Sequence, residues 1–446
     1  MQDDGDRAPL DKLIQRKIQA VAEARLADEP VIALQGPRAV GKTTLLRSIA
    51  SQRGSDVIDL DDLGTREAVA LDPATFVSGP APVCIDEYQH VPVVLDAIKA
   101  ELNRDGSPGR FVITGSTRHD AIPRAAQSLT GRLHLLTVLP LSQGELAGAD
   151  GSLLGSLFEA PKSTISSTPS ATTREQYVER VIAGGFPPAL RRRSDDARAR
   201  WFDDYLRASL ERDVAELARI RRKAALPDLL VRLAAQTGQV LNVTAAGAAA
   251  ELKKGTAVSY VKLLEALFLV HRLPAWGKTL RARAAAQPKV HVVDSGLAAY
   301  LLRLSAEKLA RPEPSAIQQF GHLLETFVVG EIRKEASWME GIATLGHWRT
   351  HDGAEVDLVV ERHDGAVVAF EVKAGTRIAG RDFTGLRTIR DALGPAFAAG
   401  CVLYTGTRSY TADDRIHVLP VDRLWSAPAA IRCATSAPHQ AELEEN

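Results

Sequence analysis

A glycine-rich loop between a short apolar run and a helix-forming run restricts the fold of this 446-residue chain more than any other feature. The run VIALQ (31–35) predicts a strand, LLRSIA predicts a helix, and GPRAVGKTT between them fits the pattern G-x-x-x-x-G-K-[ST]. In such loops, glycines let successive backbone N–H groups turn toward phosphate oxygens, and the start of the helix adds partial positive charge. The order strand, loop, helix therefore predicts a parallel α/β sheet with a nucleotide site. The residues expected around the phosphates are Gly36, Pro37, Arg38, Ala39, Val40, Gly41, Lys42, Thr43 and Thr44.

Two acids at the end of a second strand predict hydrolysis at this site. The segment PVCIDEYQH (82–90) has the pattern of a buried strand that ends in Asp86 and Glu87. In the phosphate loop, Lys42 is expected to reach the β- and γ-phosphates of ATP, and Thr43 is expected to ligate Mg²⁺. Asp86 would hold the Mg²⁺ through water, and Glu87 would orient the attacking water. The alternative is that Asp86 and Glu87 are only the polar end of a strand.

A third strand and three arginines add candidates for the same reaction. The strand RFVITGS (110–116) ends in Thr114 and Ser116, whose hydroxyls would sense the γ-phosphate or would simply form a turn. An arginine from a neighbouring subunit often stabilises phosphoryl transfer, which implies a homo-oligomer. The sequence offers three such arginines and does not choose among them: Arg118, Arg124 and Arg132.

Composition limits the classes of function. The 55 Lys and Arg residues balance the 55 Asp and Glu residues, so nucleic-acid binding would have to rely on local basic patches. The length predicts roughly two to four domains. The three cysteines are far apart in sequence, which favours reduced thiols over a disulfide framework. The N-terminal sequence lacks the pattern of a signal peptide, and no apolar run is long enough for a membrane span, so a cytoplasmic protein is expected.

A series of short motifs resembles one protein family over nearly the whole chain. The family consists of AAA-type ATPases of bacteria and archaea that carry a C-terminal domain of unknown function. The resemblance implies an ASCE-type P-loop ATPase domain followed by further α/β modules. Besides the glycine loop, IDE and ITGS, the motifs are LTGR (129–132), PLSQGE (140–145), GGFPPAL (184–190), YLRASLERDV (205–214), VVDSGLAAYLL (292–302) and GHLLETFVVGEI (321–332).

An unusual segment precedes a helical region. Residues 151–173 are rich in Ser, Thr, Gly and Pro, which predicts a flexible insert or linker. From 174 to 235 apolar residues recur at helical spacing, which predicts a helical lid that packs on the ATPase domain. Arg212 and Asp213 in this region are expected on an exposed charged helix face, with an interface as the alternative.

Residues 241–289 have the pattern of a winged helix. A cap signal, a short helix, a KKGT turn and a second helix are followed by HRLPAWGKTLRARAAAQPK, which contains basic residues and no acid. Such a basic hairpin would bind DNA phosphates without base-specific contacts, although winged helices also serve as protein–protein modules. The basic residues expected to contact nucleic acid are Lys253, Lys254, Lys262, Lys278, Arg281 and Arg283.

The segment GAEVDLVVERHDGAVVAFEVKAG (353–375) predicts a β-hairpin whose register decides its chemistry. A two-residue turn would place Asp357 and Glu371 on opposite faces. A three-residue loop at 363–365 instead places Asp357 opposite Glu371, and it puts Gly365 where left-handed backbone is needed. We expect the three-residue loop, because it also places all the apolar residues of the hairpin on one face.

In that register the hairpin resembles the PD-(D/E)xK nucleases. The matching residues are Asp357 as the first acid, Glu371 and Lys373 as the ExK pair, and Glu325 as the accessory acid on the preceding helix. The resemblance implies that Asp357, Glu371, Glu325 and the Val372 carbonyl bind Mg²⁺ or Mn²⁺. It also implies that Lys373 steers the water that attacks a phosphodiester. The proline of the family pattern is missing before Asp357. The alternative is a binding domain with an inactive charge cluster.

These observations together predict an α/β multidomain protein. The predicted units are an AAA-type P-loop ATPase domain (1–150), a flexible insert (151–173), a helical lid with a winged helix (174–311), a PD-(D/E)xK-like domain (312–428) and a tail (429–446). The predicted function is ATP hydrolysis coupled to DNA binding, with metal-dependent DNA cleavage in the C-terminal domain. The alternative is a nucleotide-dependent switch whose nuclease-like domain is inactive and only binds.

Overall fold

The computed structural model describes residues 13–119, 129, 131–214, 223–277, 287–311, 313–350 and 352–426. Within those ranges, no helix combines the length and the apolar character that crossing a membrane requires.

The N-terminal region is built on a five-stranded sheet in which every strand pair is parallel. The strand order is β2-β3-β4-β1-β5, so β4 lies between the strand that precedes the glycine loop and the strand that ends in the two acids. Because all strands run in one direction, their carboxyl ends meet at one edge, which is where open α/β sheets bind ligands. The strands are β1 (Val31–Gln35), β2 (Val57–Asp59), β3 (Val83–Asp86), β4 (Phe111–Gly115) and β5 (Leu133–Thr137).

Helices cover both faces of this sheet. Side chains of β1 alternate between two apolar clusters: Val31 and Ala33 enter one, and Ile32 and Leu34 enter the other. A strand that is buried on both faces is a continuous apolar run, as VIALQ is. The helices are α1 (Lys17–Arg25), α2 (Lys42–Gln52), α3 (Leu63–Leu71), α4 (Pro73–Val77) and α5 (Val94–Leu102), with a short 3₁₀ turn at Tyr88–His90.

The segment 151–173 is packed against the rest of the protein, so the prediction of a flexible insert was wrong. It contains a helix, Leu153–Glu159, in which Leu154 and Leu157 are fully buried. Its polar groups also form hydrogen bonds with distant residues: the Ser170 hydroxyl donates to Asp422, and the backbone N–H of Leu154 donates to Glu335. The Ser- and Thr-rich composition concealed a short apolar helix face whose partners are far away in sequence.

The next region is helical, as predicted. It contains α8 (Arg174–Ala183), α9 (Pro187–Leu190) and α10 (Asp195–Ala208), and it is preceded by α6 (Gln143–Leu146), α7 (Leu153–Glu159) and a 3₁₀ turn at Pro161–Thr164. The end of α10 continues into a five-residue π-helical segment, Ser209–Asp213. Single π turns inside α-helices are rare and occur frequently at functional sites.

A small three-stranded antiparallel sheet follows, in the order β6-β8-β7. Three helices pack beside it, and the chain between β7 and β8 is described only at its two ends. The elements are α11 (Ala225–Ala234), β6 (Gln239–Val240), α12 (Val243–Ala249), α13 (Lys254–Ala266), β7 (Val270–Leu273) and β8 (Lys289–Val292). Two further helices, α14 (Ser295–Leu301) and α15 (Ala306–Ala310), lead to the C-terminal region.

The C-terminal region is a six-stranded mixed sheet in the order β13-β14-β12-β11-β10-β9. Helices cover both faces: α16 and α7 pack on one face, and α17 packs on the other. Hence the apolar residues of the hairpin divide between two clusters, Leu358 and Phe370 in one and Val359 and Ala369 in the other, and the expectation of a single apolar face was wrong. The elements are α16 (Pro314–Ser337), β9 (Ile342–Arg349), β10 (Glu355–Arg362), β11 (Val367–Lys373), α17 (Thr384–Leu393), β12 (Phe397–Tyr404), β13 (Tyr410–Asp413), β14 (Ile416–Pro420) and α18 (Arg423–Ser426).

One apolar cluster runs through all of these regions. It includes Leu45 of α2, Tyr177 of α8, Leu264 of α13 and Phe370 of β11. The predicted modules are therefore joined by shared buried surface rather than by exposed linkers.

Candidate functional site

The glycine loop adopts a backbone that only glycine accepts at two positions. A Cβ atom on Gly36 would lie 2.1 Å from the Val138 carbonyl oxygen, so no side chain fits between the loop and the chain that follows β5. Gly41 has a φ of 94° and is the N-cap of α2. The loop consequently makes a tight turn directly before the N-terminus of α2, and a glycine loop followed by a helix start is the arrangement that binds anions.

Lys42, the first residue of α2, is buried against the loop. Its Nζ donates hydrogen bonds to the carbonyl oxygens of Gly36, at 3.0 Å, and Pro37, at 2.9 Å. Burial lowers the pKa of Lys42, and the nearby carboxylates of Glu87 and Asp86 oppose that shift. The ammonium group thus lies inside the loop, close to Asp86 at the end of β3 and to Glu87 directly after it.

Asp86 and Thr43 lie together at the end of β3, which fits a magnesium site. The Asp86 carboxylate accepts hydrogen bonds from the hydroxyls of Thr43 and Thr114. Burial raises the pKa of Asp86, and these hydroxyls counteract the rise. A hydroxyl and a carboxylate beside a phosphate-binding loop are the oxygen ligands that Mg²⁺ takes in nucleotide sites. Bound there, Mg²⁺ would neutralise charge on the β- and γ-phosphates.

Glu87 has a strained backbone, which is a frequent property of functional residues. Its φ of 51° and ψ of 48° are left-handed, although the residue is not glycine. Its carboxylate accepts a hydrogen bond from the Gln89 side chain, and Gln89 also donates to the Ser116 hydroxyl at 3.0 Å. Burial opposes the charge, but the Lys42 ammonium and the Gln89 hydrogen bond outweigh it and lower the pKa of Glu87. Glu87 is therefore held as a carboxylate beside Lys42.

A cavity of about 670 Å³ opens between the glycine loop and two segments that the sequence analysis did not assign to the site. One segment is residues 13–19, N-terminal to β1, where Leu13 and Ile14 line the cavity. The other is the motif GGFPPAL, from which Pro187, Pro188 and Arg191 line it. The lining therefore combines polar and charged side chains of the glycine loop with apolar side chains of these two segments.

Arg16 fixes the N-terminal segment to this cavity. It donates hydrogen bonds to the carbonyl oxygens of Val40, at 2.6 Å, and Leu139, at 2.7 Å, and to the Glu145 carboxylate at 2.9 Å. A single arginine before the first strand carries no sequence signal for such a role. Glu145 belongs to the PLSQGE motif, whose function in the cavity wall was not foreseen.

The three arginines proposed for action between subunits have different environments. Arg118 faces the middle region, because its guanidinium lies 5.5 Å from the centre of the Phe268 ring and its N–H donates to the Ala266 carbonyl oxygen. Arg132 is exposed and donates to the Asn103 side chain at 2.7 Å. Arg124 lies outside the described residues. Arg118 is thus poorly placed to reach a neighbouring subunit.

Asp213 is buried and contacts the glycine loop, so its prediction as part of an exposed charged face was wrong. Its carboxylate accepts hydrogen bonds from Nε of Arg38 at 2.8 and 2.7 Å, and its Oδ1 lies 2.6 Å from Nη2 of Arg38. Helical periodicity could not reveal this contact, because the π-helical turn at Ser209–Asp213 changes which face each residue occupies. This contact joins the helical region directly to the loop.

The register predicted for the C-terminal hairpin is confirmed. Leu358 pairs with Phe370 and Glu361 with Val367, and continuing this register by one residue sets Asp357 opposite Glu371. The Gly365 N–H donates to the Arg362 carbonyl oxygen, and Gly365 has a φ of 84°, as the three-residue loop requires.

Lys289, which the sequence analysis placed only at the end of the basic hairpin segment, lies among the acids of this C-terminal hairpin. Nζ of Lys289, at the start of β8, is 2.9 Å from Glu325, 2.7 Å from Glu355 and 2.9 Å from Asp357. Only 2% of the Lys289 side chain is exposed. Burial opposes its charge, but the three carboxylates outweigh this effect and raise the pKa of the Lys289 ammonium. Lys289 thereby supplies a positive charge where the nuclease resemblance implies a metal ion.

Glu371 and Lys373 form a pair next to this cluster. Nζ of Lys373 lies 2.6 Å from Oε1 of Glu371, while Oε2 of Glu371 is buried with no hydrogen-bond partner. Burial and the Asp357 carboxylate raise the pKa of Glu371 to about 8. The second Asp357 oxygen accepts a hydrogen bond from the Val372 N–H at 2.9 Å. Both oxygens of Asp357 therefore have partners within the protein.

The residues of this cluster do not fit a metal ion as they are arranged. Across the part of the chain that the structure describes, no three His, Cys, Asp or Glu side chains are placed to hold a metal. Metal binding by Asp357, Glu371, Glu325 and the Val372 carbonyl stays a prediction, and the position of Lys289 argues against it.

Three of the predicted nucleic-acid contacts are described and exposed. Lys253 is the N-cap of α13, Lys254 is its first residue, and Lys262 lies on its solvent side. The other three, Lys278, Arg281 and Arg283, lie outside the described residues.

Family models match three parts of the chain. Residues 28–147 match the model of the AAA domain, which covers the glycine loop and both acids. The N-terminal region is P-loop ATPase-like. Residues 174–308 match one domain of unknown function (DUF8612), and residues 320–424 match another (DUF4143).

Similar proteins and structures were also found. Uncharacterized proteins of Mycobacterium bovis and Mycobacterium tuberculosis are each 28% identical over 415 residues, covering 92% of this chain and 85% of theirs. A Walker-type ATPase of Pyrococcus abyssi is similar over 67% of this chain and 99% of its own, with 14% identity and a TM-score of 0.41. A signal transduction ATPase with a tetratricopeptide repeat sensor, from Pyrococcus horikoshii, covers 76% of this chain and 49% of its own, with 11% identity and a TM-score of 0.24.

Proposed function

We propose that this protein binds and hydrolyses ATP and that nucleotide state controls the rest of the chain. The observation that carries the proposal is the convergence of Lys42, Thr43, Asp86 and Glu87 at the edge of the parallel sheet, beside a cavity of about 670 Å³. The AAA-domain match over residues 28–147 supports it. A cavity of this size is within the ordinary range for small-molecule sites.

Each residue has a defined part in the proposed reaction. Lys42 binds the phosphates as a point charge, and Thr43 with Asp86 holds Mg²⁺. Glu87 orients the attacking water, a role that suits an ionised carboxylate acting as hydrogen-bond acceptor. The adenine base lies against apolar side chains of the cavity wall, among them Leu13 and Pro188.

Equilibrium binding of ATP and release of phosphate test this proposal separately. We expect Lys42→Ala to weaken ATP binding about tenfold or more, because it removes a charge-assisted contact. We expect Glu87→Gln to retain binding and to lose about 100-fold or more in turnover. The matched control is Arg47→Ala, on the same helix and outside the cavity lining. Equal turnover in wild type and Glu87→Gln would mean that Glu87 is not catalytic.

For the C-terminal part, we propose a nuclease-like fold that binds rather than cuts. The specific observation is Lys289, whose ammonium group satisfies Glu325, Glu355 and Asp357. In this proposal the protein is an ATP-dependent switch, and the elements from α11 to β8 form a winged helix that faces a partner. The order of helices and strands in that region supports the winged helix.

The second candidate is ATP-dependent DNA binding and cleavage. It is favoured by the exposed lysines 253, 254 and 262 and by the register that sets Asp357 opposite Glu371. Labelled single- and double-stranded DNA is incubated with Mg²⁺ or Mn²⁺, with and without ATP. Comparing wild type, Glu371→Ala and Glu87→Gln in this assay distinguishes the candidates. Cutting that disappears only in Glu371→Ala would establish the nuclease. An ATPase rate unchanged by DNA, with no cutting, supports the switch.

We further propose a homo-oligomer in which an arginine acts across the subunit interface. Arg132 is the described candidate that is exposed near the ATPase sheet. Mixing Glu87→Gln subunits with Arg132→Ala subunits tests this. If the mixture releases phosphate faster than the two variants together would when measured alone, an active site must be shared between two chains. A rate equal to the sum of the two separate rates excludes Arg132 from that role.

A further inference from the structure

A buried carboxylate of the helical region is paired with an arginine of the phosphate loop. Arg38 is the third residue of the loop that starts at Gly36, and it lines the cavity together with Lys42. Asp213 lies 175 positions later in sequence and has only 3% of its side chain exposed. Its two oxygens both accept from Nε of Arg38, and Oδ1 also contacts Nη2.

This pair differs from the exposed ion pairs of the same helical region. Arg207 and Asp203 of α10 are 2.7 Å apart, but their side chains are 60% and 57% exposed. Exposed pairs of that kind contribute little to stability or to position. Asp213 is shielded from water, and its carboxylate binds one edge of the planar guanidinium of Arg38. It therefore fixes the orientation of that guanidinium and balances its positive charge.

The same helical region contacts the cavity at its other end. Phe186 immediately precedes α9, and its ring lies 5.0 Å from the ring of Tyr205, which is on α10 just before the π-helical turn. Pro187 and Pro188 of α9 line the cavity. The helices α9 and α10 thus form one packed unit. Its α9 end lines the cavity, and the π-helical turn that follows α10 supplies the carboxylate that binds Arg38.

The charge of Arg38 acts where phosphates would lie. Besides burial, which is the largest influence on both groups, Arg38 is among the charges that shift the pKa values of Lys42 and Glu87. The Arg38 guanidinium lines the same cavity as Lys42 and so adds a second positive group beside the glycine loop.

We propose that Asp213 is a positioning residue for nucleotide recognition: it holds Arg38 toward the phosphates of a nucleoside di- or triphosphate. This inference rests on the proposed nucleotide site and goes beyond it, because it assigns recognition to a residue outside the ATPase sheet. Binding of the phosphates then requires the π-helical turn to be docked against the loop. Conversely, a bound nucleotide stabilises that docked arrangement, since linkage between two events is reciprocal.

A double-mutant cycle on the full chain tests this proposal. The dissociation constants of ATP and ADP are measured by calorimetry for wild type, Asp213→Asn, Arg38→Gln and the double variant. We expect about a tenfold loss for each single variant, as for one charge-assisted hydrogen bond. In the Arg38→Gln background, we expect Asp213→Asn to change the constants less than about twofold, because the effect of Asp213 passes through Arg38.

Controls separate a local effect from loss of folding. Asp203→Asn removes a carboxylate from an exposed pair on the same helix and should leave both constants unchanged. Arg38→Lys keeps the charge of the loop and gives Asp213 a cationic partner, but it lacks the planar edge. It should still weaken ATP binding severalfold, so the proposal remains testable if Asp213→Asn does not fold.

Each remaining outcome overturns the inference or the function beneath it. Unchanged or tighter ATP binding by Asp213→Asn would show that the carboxylate only repels phosphate or plays no part. The same loss in both backgrounds would assign Asp213 a role in the stability of the helical region alone. A wild-type protein that binds no nucleotide would reject the proposed site itself, and Asp213 would then need another explanation.

Discussion

Replacing Lys289 tests the central feature of the C-terminal cluster. Lys289→Met keeps the length of the side chain and removes its charge, which leaves Glu325, Glu355 and Asp357 without the ammonium group they share. The three N–O distances are 2.7 to 2.9 Å, and the exposed fractions of the carboxylates are 12%, 32% and 11%. All three therefore lose a close partner in a poorly hydrated place.

The expected loss of stability follows from this arrangement. Removing one member of a buried ion pair typically costs about 3–5 kcal/mol, because the remaining charge is buried and unpaired. Two carboxylates about 5 Å apart also repel each other by roughly 3 kcal/mol at an effective dielectric constant near 20. Protonation of one carboxyl relieves part of this repulsion. We therefore expect the free energy of unfolding to fall by about 3–5 kcal/mol at pH 7.5.

Urea unfolding followed by tryptophan fluorescence measures the difference, with Lys262→Met as the control for loss of an exposed lysine. A loss below about 1 kcal/mol for Lys289→Met would refute the reasoning, because it would mean that the acids do not depend on this lysine. A titration with Mn²⁺ extends the test. If the acids can hold a divalent cation once Lys289 is gone, Mn²⁺ will raise the unfolding midpoint of the variant more than that of wild type.

Two further predictions concern the contact between α7 and α16, where the Leu154 N–H donates to the Glu335 carboxylate. Burial raises the pKa of Glu335 to about 7, so its proton is bound more tightly in the folded than in the unfolded protein, and stability falls as pH rises. Between pH 4.5 and 7 the contribution of Glu335 to the free energy of unfolding declines by on the order of 3 kcal/mol. The free energy of unfolding of Glu335→Gln, measured in urea, should therefore fall less over this pH range than that of wild type. An equal fall in both proteins would exclude Glu335 as the cause. Leu154→Ala should lower the unfolding free energy by about 2–5 kcal/mol, since the side chain is fully buried in α7. A loss like that of an exposed control, Leu71→Ala, would mean that the segment is not anchored.

The sequence was sufficient where neighbouring residues determine the structure. The glycine loop, the strand before it and the helix after it are contiguous, and the motif specifies each of them. The hairpin register was also predictable, because Gly365 and the loop length determine which residues face each other. In both cases the relevant interactions span only a few residues.

Contacts between distant segments were not predictable in this way. Lys289 reaches Asp357 across 68 positions, and Asp213 reaches Arg38 across 175. Each of these residues belongs to a pattern that also occurs on ordinary charged surfaces, so periodicity alone favoured exposure. The same limitation applies to segment 151–173, whose buried leucines acquire partners only after the C-terminal sheet is assembled.

The apolar cluster shared by all regions has a practical consequence for how this protein is handled. A gene fragment that ends after the ATPase sheet would lack most of the buried residues that form this cluster together with Leu45. Such a fragment would expose apolar surface to solvent and would tend to aggregate. Biochemical dissection of this protein is therefore better done by point substitution than by truncation.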